Sequence, residues 1–264
     1  MLYQRFTPAP ALAPFVECFW YLRRSDTGGG VERILPDGCM ELIFNLGAPF
    51  RVVDDSAVHR MQPHALLVGQ LTRRLLIEPT GAAEILAARF TPAGAAAFFP
   101  FGLNEIADGH AAVDALGAAA RELEGRLRDA VTTARRLRLL EAALQAWRRH
   151  DVPHRVTGAV QRLRAGGGQV RVAAVATEFG VTPRQLERDF TRWVGVSPKQ
   201  FSRLTRFQRV FRALEAGDAR WVDVAADCGY CDQAHLVNEF RALSGLSPTD
   251  YFRQATAMGT AFVG

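Results

Sequence analysis

The chain has 264 residues, 48% of them apolar and 22% charged, with a formal net charge of +5. That length suits two domains rather than one small core, and the balance of residue types excludes a disordered or fibrous chain. The sequence has no apolar run long enough to span a bilayer, and MLYQRFTPAP lacks the charged start and apolar stretch of a secretory signal, so a cytoplasmic protein with no membrane partner is expected.

Four cysteines, Cys18, Cys39, Cys228 and Cys231, are too scattered for a disulfide framework and read as reduced thiols. Residues 1–153 carry 17 basic and 17 acidic side chains, whereas 154–253 carry 15 and 10. The whole positive excess therefore sits in the second half, which points to a polyanion partner for that half alone. Lys199 is the only lysine, so arginine usage by itself carries little weight.

From Met1 to about Phe99, short apolar runs are separated by Pro, Gly and Asp: Cys18 to Leu22, Met40 to Leu46, Ala65 to Leu71, Leu75 to Glu78 and Ile85 to Phe90. Runs of this kind predict strands, and several in succession predict a sandwich or barrel. Leu35-Pro36-Asp37-Gly38 predicts a turn, because Pro presets φ and Gly supplies a positive φ. Gly28-Gly29-Gly30 predicts a hairpin tip.

From about Pro100 the spacing becomes helical. Val113, Leu116, Ala120, Leu123, Leu127 and Ala130 recur every three or four residues, and Leu137, Leu140, Leu144 and Trp147 follow a Thr132-Thr133 start suited to capping. These two amphipathic helices fit an antiparallel hairpin, a dimer seam or a cover for the β domain. Pro153 then breaks the pattern. A short helix from Val156 to Arg164 leads to Gly166-Gly167-Gly168, a turn or hinge.

Val172 to Arg253 contains one pattern twice. Val175-Ala176 matches Val224-Ala225, Gly180 matches Gly229, Leu186 matches Leu236, Phe190 matches Phe240, and Gly195-x-Ser197-Pro198 matches Gly245-x-Ser247-Pro248. In each copy an Ala allows a second helix to cross closely, a Gly follows where the turn needs a positive φ, and Thr182 or Asp232 stands where a helix needs an N-cap. Leu186 with Phe190, and Leu236 with Phe240, place apolar groups on the inner face of the second helix. Between the copies, Ser197-Pro198 starts a long helix running from Lys199 to about Ala216. The pattern therefore predicts two helix-turn-helix units joined by a helix, able to enter successive major-groove segments.

Residues 156 to 253, on these motifs, resemble the C-terminal DNA-binding domain of the AraC/XylS family of bacterial transcription regulators. The chain departs from the family pattern at Asn238, where Arg is common. Glu32-Arg33-Ile34-Leu35-Pro36-Asp37-Gly38 and Arg89-Phe90-Thr91-Pro92-x-Gly94 resemble the sensor-like β domains attached to some of these regulators, which implies a small-molecule pocket. The expected fold class is α+β: a mainly-β, cupin-like sandwich or barrel with helices, then an all-α domain. The expected divisions are an effector-binding β domain at 1–110, a helical hairpin for dimerisation at 111–150, a linker at 151–155, the DNA-binding domain at 156–253 and a tail at 254–264.

Base readout is expected from Arg184, Gln185, Glu187 and Arg188 on the first reading helix, and from Gln233, Ala234, His235, Val237 and Asn238 on the second. Arg can fork onto guanine, Gln and Asn can pair with adenine, and Ala or Val can meet a thymine methyl. Backbone contacts are expected from Thr182, Arg192, Lys199, Arg203, Arg206, Asp232 and Arg241. The effector pocket is expected to use Trp20, Glu32, Arg33, Glu41, Phe44 and Phe90. Partners are then double-stranded DNA, a small-molecule effector, RNA polymerase and a second copy of the chain.

The competing reading is an enzyme, metal-dependent or methyl-accepting, targeted to DNA by the helical half. It is disfavoured because a structural zinc needs about four ligands and Cys18 and Cys39 are the only cysteines in the first half. Cys228-Gly-Tyr-Cys231 coincides with a turn glycine and reads as structural. No cofactor and no metal are expected.

Overall fold

A computed structural model of the chain describes residues 1–25, 30–53, 59–215 and 220–254, which leaves Gly28 and Gly29 of the expected hairpin tip outside the described residues. The N-terminal half is built from β1 (Leu2–Phe6), β2 (Val16–Arg24), β3 (Glu32–Ile34), β4 (Glu41–Asn45), β5 (Phe50–Val53), β6 (His59–Met61), β7 (Ala65–Val68), β8 (Leu75–Pro79), β9 (Ala83–Phe90) and β10 (His110–Ala112). They form two antiparallel sheets, one in the order β1-β2-β9-β4-β7-β10 and one in the order β3-β8-β5-β6. All five expected apolar runs are strands. The additional strands β1, β3, β5, β6 and β10 have no more than five residues each.

The six-stranded sheet is covered on both faces, which explains why β2 and β9 read as nearly continuous apolar runs. Side chains alternate along a strand. Cys18, Trp20, Leu22, Ile85 and Ala87 therefore pack against the smaller sheet with Phe50 and Ile77. Phe19, Tyr21, Leu42, Phe44, Leu86 and Phe90 point the other way.

That other face is covered by α1 (Val113–Leu116), α2 (Ala118–Asp129) and α3 (Thr133–Trp147). Thr132 caps α3, its side chain accepting from the Arg135 amide at 3.3 Å. Ala120, Leu123, Leu127, Leu140 and Leu144 share one core with Phe44 and Phe90, so the helical pair spends its apolar stripe on the sheet. Arg136 fastens α3 to β9 through Glu84 at 2.6 Å. The expected division at 110/111 falls inside β10, which pairs with β7.

The C-terminal half contains α4 (His154–Ala165), α5 (Val172–Glu178), α6 (Pro183–Val194), α7 (Pro198–Glu215), α8 (Trp221–Asp227), α9 (Gln233–Ser244) and α10 (Pro248–Arg253). α4, α5 and α6 enclose one core around Val175, Leu186 and Phe190. α8, α9 and α10 enclose a second around Val224, Leu236, Phe240 and Tyr251. The long helix α7 serves both, giving Phe201 to the first and Leu204, Phe207, Val210 and Phe211 to the second.

The loop between β3 and β4 is one of the places where the two halves meet. Leu35 is buried in the core of the second unit, and Gln208 of α7 donates to the Pro36 carbonyl at 2.7 Å. Gly38 has φ +80°, a conformation that favours glycine, and a Cβ there would lie 3.3 Å from the Phe201 ring, a tight contact.

Candidate nucleic-acid interface and ligand cavity

Each helix-turn-helix unit is made by local chemistry. α5 ends at Phe179 and Gly180, with Gly180 at φ +66°, and the Val181 amide donates back to the Ala176 carbonyl at 3.0 Å. Gly229, at φ +79°, allows the same closure in the second unit, where the Tyr230 amide donates to Ala225 at 2.9 Å. This is the glycine-dependent bond that closes many helix C-termini. Thr182 then caps α6, accepting from the Gln185 amide at 3.1 Å, and Asp232 caps α9, accepting from the His235 amide at 2.7 Å. Leu186, Phe190, Leu236 and Phe240 are fully buried beneath these helices. Gly195 and Gly245 end them in the left-handed conformation.

The outer faces differ. On α6, Arg184, Glu187 and Arg188 are exposed and Gln185 is half-buried. Gln185 donates to Asp189 at 2.9 Å and accepts from Arg188 at 2.5 Å. Asp189 is buried and also receives Arg155 of α4 at 2.7 Å. Burial pushes its carboxyl up, but the bonds from Arg155 and Gln185 outweigh that and hold it below the ordinary value. The first reading helix is thereby tied to α4 by a charge that sequence spacing does not reveal.

On α9, Gln233, Ala234 and Asn238 are exposed. His235 is half-buried, its Nδ1 accepting from the Cys231 amide at 3.3 Å while its ring meets Tyr230 edge-on. Val237 packs partly against the second core. Cys228 lies within that core and Cys231 is exposed.

Among the expected backbone contacts, Arg192, Lys199 and Arg241 are exposed, and Thr182 and Asp232 are used as caps. Arg203 and Arg206 are already engaged within the protein. Arg203 Nε lies 2.6 Å from Glu239 of α9, and Arg206 donates to the Gly168 carbonyl at 3.0 Å while its guanidinium lies over Tyr230. Both face Glu239 of α9 from α7.

In the β half, a cavity of about 70 Å³ lies between the sheets. Trp20, Glu41, Ile43, Asn45 and Ile85 reach it from the larger sheet, and Ile34, Phe50 and Ile77 from the smaller one. An adjoining cavity of about 210 Å³ shares Gln62, Val68 and Leu75 and is flanked by Arg60, Asp108 and His110. Of the expected pocket residues, Trp20 and Glu41 are brought together, with Trp20 Nε1 donating to Glu41 at 3.3 Å.

The other four expected residues lie elsewhere. Phe44 and Phe90 pack on the helical face, because they sit at the opposite parity of β4 and β9. Glu32 forms a buried pair with Arg24 at 2.5 Å. Arg33 lies toward Arg74 and Tyr251, with burial lowering its pKa and Arg74 adding to the effect. Sequence reasoning missed Ile43 and Asn45, which alternation from Glu41 along β4 could have found.

Glu41 belongs to a cluster centred on Arg89, whose Nη1 lies 2.5 Å from Asp37 and 3.1 Å from Glu41 and whose Nε lies 3.4 Å from Glu17. Burial pushes the Glu41 carboxyl up to about 6, with Arg89 opposing the shift. A polar cleft of about 730 Å³ lies on the other side of this cluster, between the halves, with Arg164, Arg209 and Arg212 on its helical wall.

Comparison with known proteins agrees with this geometry. Residues 175–254 match the family described as a helix-turn-helix domain. Residues 4–112 match a domain of unknown function (DUF6597). The HTH-type transcriptional activator RhaS of Escherichia coli O139:H28 is 30% identical over 82 residues, covering 31% of this chain and 30% of RhaS. RhaS of Escherichia coli K12 is 29% identical over the same length. The chain thus matches less than a third of the length of these curated relatives. ToxT from Vibrio cholerae has a similar fold across both halves, with a TM-score of 0.50 at 9% identity, covering 90% of this chain and 98% of ToxT.

Proposed function

We propose that the chain is a sequence-specific DNA-binding transcription regulator of the AraC/XylS type, controlled by a small molecule held in its β domain; its residues 175–254 match a helix-turn-helix domain, and part of the chain is similar to the transcriptional activator RhaS. The observation that carries this reading is the pair of capped helices, α6 and α9, each with an exposed outer face and both packed on α7. α7 has 18 residues, about 27 Å at the usual helical rise. A rigid connecting helix holds the two reading helices at a fixed separation, as entry into successive major-groove segments roughly 34 Å apart requires.

In this reading Arg184, Gln185, Glu187 and Arg188 read bases in one segment, and Gln233, Ala234, His235, Val237 and Asn238 read the other. Arg192, Lys199 and Arg241 meet phosphates, with the capped N-termini at Thr182 and Asp232 beside them. Base contact by Gln185 requires it to exchange Arg188 or Asp189 for DNA. One chain carries two reading helices, so a single molecule can span its site. Contact with RNA polymerase and residence on the chromosome follow from the same reading.

The small-molecule arm rests on the cavity at Trp20 and Glu41 and on its link to the helical half. Ile34 lines the cavity and its neighbour Leu35 lies in the second unit's core. Glu41 lines the cavity and its neighbour Met40 lies against Gly195 at the end of α6. Selection of bound sequences from a random duplex pool, followed by footprinting, tests the proposal. The expected outcome is an enriched site with two contacted segments about one helical turn apart, and a pool with no enrichment refutes it.

A further inference from the structure

We infer that the polar cleft between the two halves is a binding site for a small hydroxylated phosphomonoester, its dianionic head held by Arg164, Arg209 and Arg212. The site is separate from the cavity between the sheets and does not rest on the reading of that cavity as the effector site. The cleft measures about 730 Å³, within the range of roughly 300–1,000 Å³ usual for small-molecule pockets.

The arginines of the helical wall fall into two groups. α4 and α7 carry seven of them. Arg155 is paired with Asp189, Arg162 with Glu178, and Arg203 and Arg206 with Glu239. Arg164, Arg209 and Arg212 line the cleft and have neither an ion pair nor a side-chain hydrogen bond among the described residues. Arg209 and Arg212 stand one turn apart on α7, and Arg164 stands in the last turn of α4. Gly167 has φ +61°, and a Cβ there would lie 2.0 Å from Arg209 Nη1, so the bare turn after α4 leaves room for that guanidinium. Planar guanidinium forks suit the oxygens of a phosphate.

The charges of both walls set the ligand's polarity. On the helical wall three guanidiniums face one carboxylate, Asp227, which leaves two positive charges. On the β wall Arg5 and Arg89 meet Glu17, Asp37 and Glu41, which leaves one negative charge. A phosphomonoester carries about −1.5 to −2 at neutral pH and matches the helical wall. The β wall repels a second anion, whereas the Glu17 and Asp37 carboxylates can accept from hydroxyls on the ligand's body. The same acidic wall opposes entry of a duplex backbone.

Full-length protein is titrated calorimetrically with glycerol phosphate, ribose phosphate and glucose phosphate. Inorganic phosphate, the phosphate-free polyols and the matching acids phosphoglycerate, phosphoribonate and phosphogluconate serve as controls. The expected result is saturable binding of at least one ester, tighter than inorganic phosphate, its own polyol and its matching acid by about tenfold. Arg209→Gln and Arg212→Gln should each weaken that ester about tenfold. Arg212 is exposed, so its replacement removes the charge without disturbing a core, and thermal unfolding checks both folds.

A series in which no ester binds overturns the inference, as does binding that neither substitution weakens. Equal affinity for inorganic phosphate refutes the hydroxylated body, and equal affinity for the matching acid refutes the role of the β wall. If no ester binds and the two substitutions instead lower duplex affinity and the slope of its salt dependence, the inference fails and these guanidiniums contact the DNA backbone.

Discussion

Replacing the turn glycines separates two physical causes that the helix-turn-helix pattern merges. Gly180 has φ +66°, and a Cβ built on it meets nothing within 4 Å. Gly180→Ala is therefore opposed only by the left-handed backbone, which costs about 1–2 kcal/mol for a residue with a Cβ. The loss of freedom in the unfolded chain returns about 0.4–1 kcal/mol, so the net destabilisation should be about 1 kcal/mol. Asn adopts the left-handed region more readily, and Gly180→Asn should cost less than Gly180→Ala.

Gly229 has φ +79°, but here a Cβ would come within 2.4 Å of the Gln169 side chain. Gln169 donates to the Asp227 carbonyl at 3.2 Å. Displacing it adds the loss of one hydrogen bond, about 1 kcal/mol, so Gly229→Ala should cost about 2 kcal/mol. Urea unfolding of the full chain, followed by helical circular dichroism, measures all three. The expected order of destabilisation is Gly229→Ala, then Gly180→Ala, then Gly180→Asn. If Gly180→Ala is as damaging as Gly229→Ala, or if Asn is no milder than Ala at 180, the conformational argument is wrong.

Arg184→Ala and Arg188→Ala should each lower affinity for the selected site by about 1–3 kcal/mol while changing random-duplex binding much less; equal losses on both duplexes would show phosphate contact only. Arg203→Ala should instead act on stability, by about 1–3 kcal/mol, because it leaves Glu239 without its close partner, and the salt dependence of DNA binding should keep its slope. Glu41 has an ordinary pKa of 4.5 and a folded value of about 6, so the folded state binds its proton more tightly than the unfolded state. Stability from this group is present below pH about 4.5 and is lost as pH rises toward about 6, a loss of about 2 kcal/mol. The difference in urea midpoint between wild type and Glu41→Gln across that window measures it, and a difference independent of pH would contradict the assignment.

The repeat was legible because its determinants are local. A cap at Thr182 or Asp232, a positive φ at Gly180 or Gly229 and an apolar pair four residues apart each act within one helical turn. What stayed hidden depends on partners distant in sequence. Arg203 and Arg206 look like free cations on a basic helix until Glu239 arrives from α9. Phe44 and Phe90 are aromatic residues in β4 and β9, as a pocket reading requires. Their parity, set by which sheet face meets α2 and α3, places them on the wrong side. The helical pair at 118–147 left three arrangements open in the sequence, and its packing on Leu86 and Phe90 shows that it covers the sheet. Asn45 was missed because an asparagine at a strand end is an ordinary turn residue until strand pairing sets it opposite Ile85 on the face that lines the cavity.

Any coupling between the cavity and the helix-turn-helix half is bounded by the same contacts. Gly195 at the end of α6 lies against Met40, Gln70 and Leu103, and Gly245 at the end of α9 lies against Arg74, so each unit is held by a different part of the β domain. Leu35 reaches the second unit only. A ligand that shifts β3 against β4 therefore acts on the second unit relative to the first, and α7 is the body about which that change is expressed. Withdrawing Leu35 from its core costs about 2 kcal/mol, which corresponds to about thirtyfold in an equilibrium constant. A ligand cannot shift the equilibrium by more than its own difference in affinity for the two arrangements. Coupling through this contact is thus limited to about 2 kcal/mol, a value inside the usual range for allosteric coupling. A larger response would require Met40 or Arg74 to move as well, which would place the first reading helix, and not only the second, under the ligand's control.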